Sequence, residues 1–138
     1  MHKKKLIIFN PSIENGGVEK NLFLISNYLA TNVENVYLIT TSKKFRNKFN
    51  SKINLIIPKY FVWDKLGRKI KYLICLILLT KFILTNKRIV LFCFQANFYC
   101  SLICLFFPKI ILITRSNTSP SGWSKNFLKR LIFKLLFR

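Results

Sequence analysis

Acidic side chains are nearly missing from this sequence: four Asp and Glu stand against 24 Lys and Arg in 138 residues, a formal net charge of +20. A surface so unbalanced is drawn to polyanions, whether nucleic acid, anionic lipid or phosphorylated substrates. Histidine occurs once, as His2. Cys75, Cys93, Cys100 and Cys104 lie in apolar runs without a CxxC spacing. No zinc or other metal site is therefore expected, and the cysteines read as small buried hydrophobes in a reducing compartment. The basic start HKKKLIIFNP carries an apolar run that breaks after four residues, too short for the core of an export signal. At this length the chain is one domain at most.

Glycine is as scarce, with four in the chain, yet Gly16 and Gly17 are adjacent and flanked by Glu14 and Glu19. They fall between Leu6–Phe9, an uncharged run stopped by Asn10-Pro11 that predicts a buried strand, and an amphipathic segment. In that segment Val18, Leu22, Ile25 and Leu29 share one helical face. Further apolar runs predict strands at Val36–Thr40, Ile53–Ile57, Ile89–Phe94 and Ile110–Thr114, alternating with helices at Lys69–Thr85 and Ala96–Phe107. Uncharged strands alternating with helices predict an α/β, Rossmann-like parallel sheet covered on both faces. Ser124–Arg138 places Phe127, Leu128, Leu131, Ile132, Leu135 and Leu136 opposite Lys125, Lys129, Arg130 and Lys134. The sequence stops inside this pattern with no cap, so a truncation is expected.

Two adjacent glycines between a buried strand and a helix let the backbone approach a ligand and turn free N–H groups toward it, at the end of the helix dipole that favours an anion. The pair fits a phosphate or pyrophosphate site at the carboxyl edge of a parallel sheet. The dinucleotide fingerprint GxGxxG is absent, and LITTSKK after the second strand carries no acid for a ribose hydroxyl. GxxxxGK followed by Ser or Thr is absent too. A dinucleotide oxidoreductase and a P-loop enzyme are both disfavoured.

Together these pieces resemble the N-terminal domain of a family 4, GT-B type glycosyltransferase. The resemblance rests on a first strand, a Pro-containing polar loop, Gly16-Gly17-Val18-Glu19-Lys20 and a helix reaching Asn27-Tyr28-Leu29-Ala30. A looser similarity is the loop after the fifth strand, Thr114-Arg115-Ser116-Asn117-Thr118-Ser119-Pro120, and Gln95 falls where the family carries a polar residue facing its cleft. The resemblance implies a retaining transfer of sugar from a nucleotide-sugar to an acceptor hydroxyl, without an obligatory metal or cofactor. Gly16, Gly17, Glu19 and Lys20 would form the donor-phosphate loop; Gln95, Arg115, Ser116 and Asn117 are candidates for the cleft and acceptor. The family's second domain, whose E-x7-E glutamates grip nucleotide and sugar, has no counterpart in the sequence. The chain is thus expected to be a single partial, acceptor-side domain, inactive by itself, from a transferase that builds a surface polysaccharide or lipid-linked saccharide.

Arg115 can pair bidentately with a phosphate, and Trp123 can stack on a sugar. No catalytic base stands out: Glu14, Glu34 and Asp64 lie outside the two recognised loops. The terminal basic helix, with the Lys69–Lys87 region, suits an anionic membrane surface, giving a peripheral location on the inner face of the cell membrane. The rival class is a small basic integral membrane protein, because Ile89–Phe107 offers 19 residues without a charge. Gln95-Ala96-Asn97 near the centre of such a span opposes it. Nucleic acid is not expected as a partner, since the aromatics sit in apolar runs rather than in a basic groove.

Overall fold

The computed structural model describes residues 4–14, 16–60 and 65–115, with positions 127 and 131 singly. Strands β1 (Lys5–Phe9), β2 (Val36–Ile39), β3 (Asn54–Ile56), β4 (Ile89–Cys93) and β5 (Ile111–Thr114) form one sheet in the order β3-β2-β1-β4-β5. Every pairing is parallel. Parallel neighbours need long crossovers, and three are helical: α1 (Gly17–Asn32) between β1 and β2, α2 (Arg68–Thr85) between β3 and β4, and α3 (Asn97–Phe106) between β4 and β5. A short 3-10 helix, Lys43–Lys48, follows β2.

The period-two alternation of the strands divides the core into two layers. Leu6 and Ile8 of β1, with Val36 and Leu38 of β2, pack against Leu22 and Ala30 of α1. Ile7 and Phe9 face the other way, against Cys75, Leu79 and Ile83 of α2 and Cys100 of α3. Because both faces of the sheet are covered, the interiors of its central strands carry no charge, with Lys5 at the half-buried start of β1, which is why they read as continuous apolar runs. The result is a Rossmann-like α/β fold with helices on both faces. Truncation of Phe9, which is wholly buried, to alanine is worth about 3–5 kcal/mol.

The five strands fall within one residue of their expected limits at every end. The buried line of α1 differs from expectation: it runs through Glu19, Leu22, Ser26 and Ala30, while Val18, Ile25 and Leu29 flank it half-buried. Small side chains at Ser26 and Ala30 occupy the line nearest the strands, displacing the larger residues to the margins. The 3-10 helix was not expected either; its Phe45 meets Phe23 of α1 at 6.0 Å between ring centroids, and Phe49 meets the same ring at 5.0 Å. Ile89–Phe107 divides into β4 and α3 at a turn through Gln95 and Ala96. Among the described residues no helix is long and apolar enough to cross a membrane. Most of Ser124–Arg138, with Ser116, Asn117 and Trp123, lies outside the described residues; Phe127 and Leu131 are helical and exposed.

The four thiols are free, and Cys75, Cys93 and Cys100 are buried in the α2–α3 layer. Burial pushes the Cys75 thiol up to about 12 and that of half-buried Cys104 up to about 11, and raises Cys93 as well. An unfolded thiol ionises near about 8.5. Between that value and the folded ones the unfolded chain holds fewer protons, so folding stability present below about pH 8.5 is lost as pH rises toward 12. The thermal midpoint should accordingly fall between pH 8 and pH 10, and Cys75→Ala should flatten that slope. An unchanged slope in the variant would show that the thiol does not carry it.

Candidate ligand site at the carboxyl edge of the sheet

The chain leaves β1 for β2 on one side and returns to β4 on the other, so the loops after β1 and β4 diverge and open a crevice at the carboxyl ends of the strands. The loop after β1 is fastened from both sides. On the β2 side the Asn10 N–H donates to the Ile39 carbonyl (3.1 Å), the Thr41 hydroxyl donates to the Pro11 carbonyl (2.9 Å) and the Ile13 N–H donates to Ser42 Oγ (3.3 Å). On the β4 side the Ser12 N–H donates to Gln95 Oε1 (3.2 Å). Gln95 therefore reaches the glycine-bearing loop.

Ala96 starts α3 in the left-handed region, at φ 58 and ψ 31. For a side chain with a Cβ this costs about 1–2 kcal/mol. It lies directly between Gln95 and Asn97. Asn97 donates through Nδ2 to the Arg115 carbonyl at 2.8 Å, and the Arg115 N–H donates to the Cys93 carbonyl at 3.0 Å. The Arg115 guanidinium lies 5.7 Å from the centroid of the Phe94 ring, a distance at which the cation is attracted to the ring face.

These residues carry an unusual concentration of unmet hydrogen-bonding capacity. Asn10 Oδ1, Asn97 Oδ1 and Arg115 Nη1 are buried without a partner, and the remaining such atom among the described residues is Ser26 Oγ in α1. Each orphan costs about 1–3 kcal/mol. Three of them on residues just past β1, β4 and β5 fit a place where a polar ligand completes the bonding.

The glycine loop has its own geometry. Gly16 precedes α1 in extended backbone and gives the helix no side-chain cap. In place of a cap, Glu19 folds back so that its Oε1 accepts the Glu14 N–H at 3.4 Å. Its Oε2 stands 2.7 Å from where a Cβ on Gly16 would lie, and the residue is only 7% exposed. Glu19 is thus an internal anion at the positive end of the α1 dipole. Gly17 differs, since nothing lies within 4 Å of a Cβ placed there. A depression of about 370 Å³ opens at this helix start, lined by the two glycines, Glu14, Glu19, Lys20, Phe23 and Lys48. Gln95 and Arg115 do not line it; the Ser12–Gln95 hydrogen bond connects the two regions.

Glu14 turns outward and accepts a hydrogen bond from Arg68 at the start of α2 (2.8 Å). That bond, then the charge of the same guanidinium, holds Glu14 below the usual carboxylate range. The pair is exposed on both sides, so it orients the loop more than it stabilises the fold. Ser116 and Asn117 lie outside the described residues. Sequence reasoning missed Asn10, Asn97 and the Thr41–Ser42 fastening. The position of Asn10 at the end of an uncharged strand, and of Asn97 directly after Gln95-Ala96, was the signal available.

No family model matches the chain, and no curated protein or solved structure matches it either.

The two glycines should respond oppositely to alanine. Gly16→Ala drives a Cβ against a buried carboxylate and should cost about 1–2 kcal/mol in urea unfolding. Gly17→Ala meets open space at the first position of a helix and should be neutral or stabilising by up to about 1 kcal/mol. Equal losses in both would refute the arrangement of Glu19 described above.

Proposed function

We propose that this chain is the N-terminal, acceptor-side Rossmann-like domain of a retaining GT-B type glycosyltransferase, acting on a lipid-linked or polysaccharide acceptor at the cytoplasmic face of the membrane. The observation that carries the reading is the buried Nη1 of Arg115 without a hydrogen-bond partner, on a residue just past β5 whose backbone carbonyl is held by Asn97, at the carboxyl edge that the glycine-bearing loop also borders. A guanidinium with an unused N–H matches a phosphate oxygen in charge and geometry. The free first-turn amides of α1, with Lys20 and Lys48 nearby, supply a second anion-attracting element, tempered by the Glu19 carboxylate.

In such a transfer the bond from the anomeric carbon to the donor diphosphate breaks as the bond to the acceptor oxygen forms, and the acceptor's hydroxyl proton passes to an oxygen of the departing diphosphate. Charge grows on the departing diphosphate, and preorganised cations and N–H groups aimed at it lower the barrier. On this reading Arg115 and the α1 start face the diphosphate, while Asn10, Gln95 and Asn97 offer amide groups to sugar or acceptor hydroxyls. A second α/β domain would grip the nucleotide, so turnover is not expected of these 138 residues alone.

Binding of nucleoside diphosphates and nucleotide-sugars, followed by calorimetry, tests the reading. Arg115→Met removes a half-buried cation with one buried, unpaired N–H group, so the free protein should keep or gain stability while affinity for the diphosphate falls at least about tenfold. A variant that unfolds more easily, from a parent that binds no diphosphate, would assign Arg115 to the core and end the proposal.

A further inference from the structure

Helices α2 and α3 bury one side against the sheet, yet their outward side is largely apolar too, with exposed Lys81 set among the apolar residues of α2. Phe106 is 82% exposed, Leu84 70% and Leu105 65%, and Leu73 and Ile77 extend the stripe along α2. Helix α1, in the opposite layer, interrupts its exposed Leu24 and Tyr28 with Lys20, Asn21, Asn27 and Asn32. A helix that is apolar on all sides is normally covered. At the C-terminal ends of α2 and α3 an apolar recess of about 580 Å³ opens, lined by Ile83, Phe106, Phe107 and Ile110 together with Lys87 and Lys109. The sequence from Lys65 to Arg115 contains no acidic residue.

We propose that the outward face of α2 and α3 docks on an anionic phospholipid bilayer, with Leu105 and Phe106 entering the headgroup layer and Lys87 and Lys109 meeting lipid phosphates. The chemistry of the patch selects this occupant. A bilayer surface offers apolar depth and negative charge together. A second copy would set lysines against lysines in a chain of charge +20. No helix among the described residues is long and apolar enough to cross the bilayer, so the face lies on it. The inference shares a membrane location with the glycosyl-transfer reading and is otherwise independent of it.

Sedimentation of the full chain with vesicles of phosphatidylglycerol or of phosphatidylcholine tests the proposal. Binding should favour phosphatidylglycerol. Leu105→Ser with Phe106→Ser, and separately Lys87→Glu with Lys109→Glu, should each lower the partition coefficient by roughly tenfold or more. Leu24→Ser with Tyr28→Ser, on the opposite layer, should leave it unchanged. Lys87 and Lys109 are exposed, so the charge variant decides the matter should the apolar variant lose its far-UV spectrum. Equal binding by all variants would reduce the association to net charge and overturn the proposal. A dimer in sedimentation velocity that Phe106→Ser dissolves, without vesicle binding, would assign the face to a second copy and overturn it too. Nucleoside diphosphate titration of the same variants separates this outcome from failure of the carboxyl-edge reading, because neither pair touches that site.

Discussion

The pairing of β1 with β2 on one side and β4 on the other is the constraint on which the rest of the molecule depends. Leu6 through Phe9 are bonded in register to Val36–Ile39 and to Val90–Cys93, and Ile7, Ile8 and Phe9 are completely removed from solvent. With both edges and both faces occupied, the Leu6–Phe9 stretch of β1 tolerates neither charge nor a turn. The polar residue that follows is therefore forced to be Asn10, buried at the strand's end. The same pairing divides the loops after β1 and β4, which creates the crevice.

Charge is distributed around this neutral centre with little internal compensation. The few acids near the crevice are used to shape its loop: Glu14 carries the Arg68 contact through its carboxylate and offers its own N–H to Glu19. This accounts for two acids flanking two glycines in so basic a chain. Glu19 folds back to hold the Glu14 N–H, and Gly16 leaves the room that Glu19 needs. The pair works as one unit, whereas Gly17 has steric freedom that the fold itself does not use.

Much of the architecture was legible because the body of each strand is a short uncharged run and three of the crossovers are longer segments with a helical period, the charged β2–β3 connection being the exception. Parallel order and coverage of both faces follow from those two features. The site was legible in part. Gly16 and Gly17 announced a tight approach, but their difference depends on where Glu19 folds, which no spacing rule specifies. Gln95 was placed correctly at a strand end, while its bond to Ser12 joins residues far apart in sequence. The buried line of α1 was read one position off, because hydrophobicity alone ranks Ile25 and Leu29 above Ser26 and Ala30. Close approach to the sheet ranks them the other way.

The fastening of the loop after β1 bears on rates. Gln95 holds Ser12, Thr41 holds Pro11, Ser42 holds Ile13, and Ala96 takes a left-handed turn. Little of the Asn10–Ile13 segment would need ordering by a molecule bound beside it, so encounter rather than rearrangement of that segment would set the speed of association. Differences in affinity among candidate occupants should then be expressed in how long each one stays.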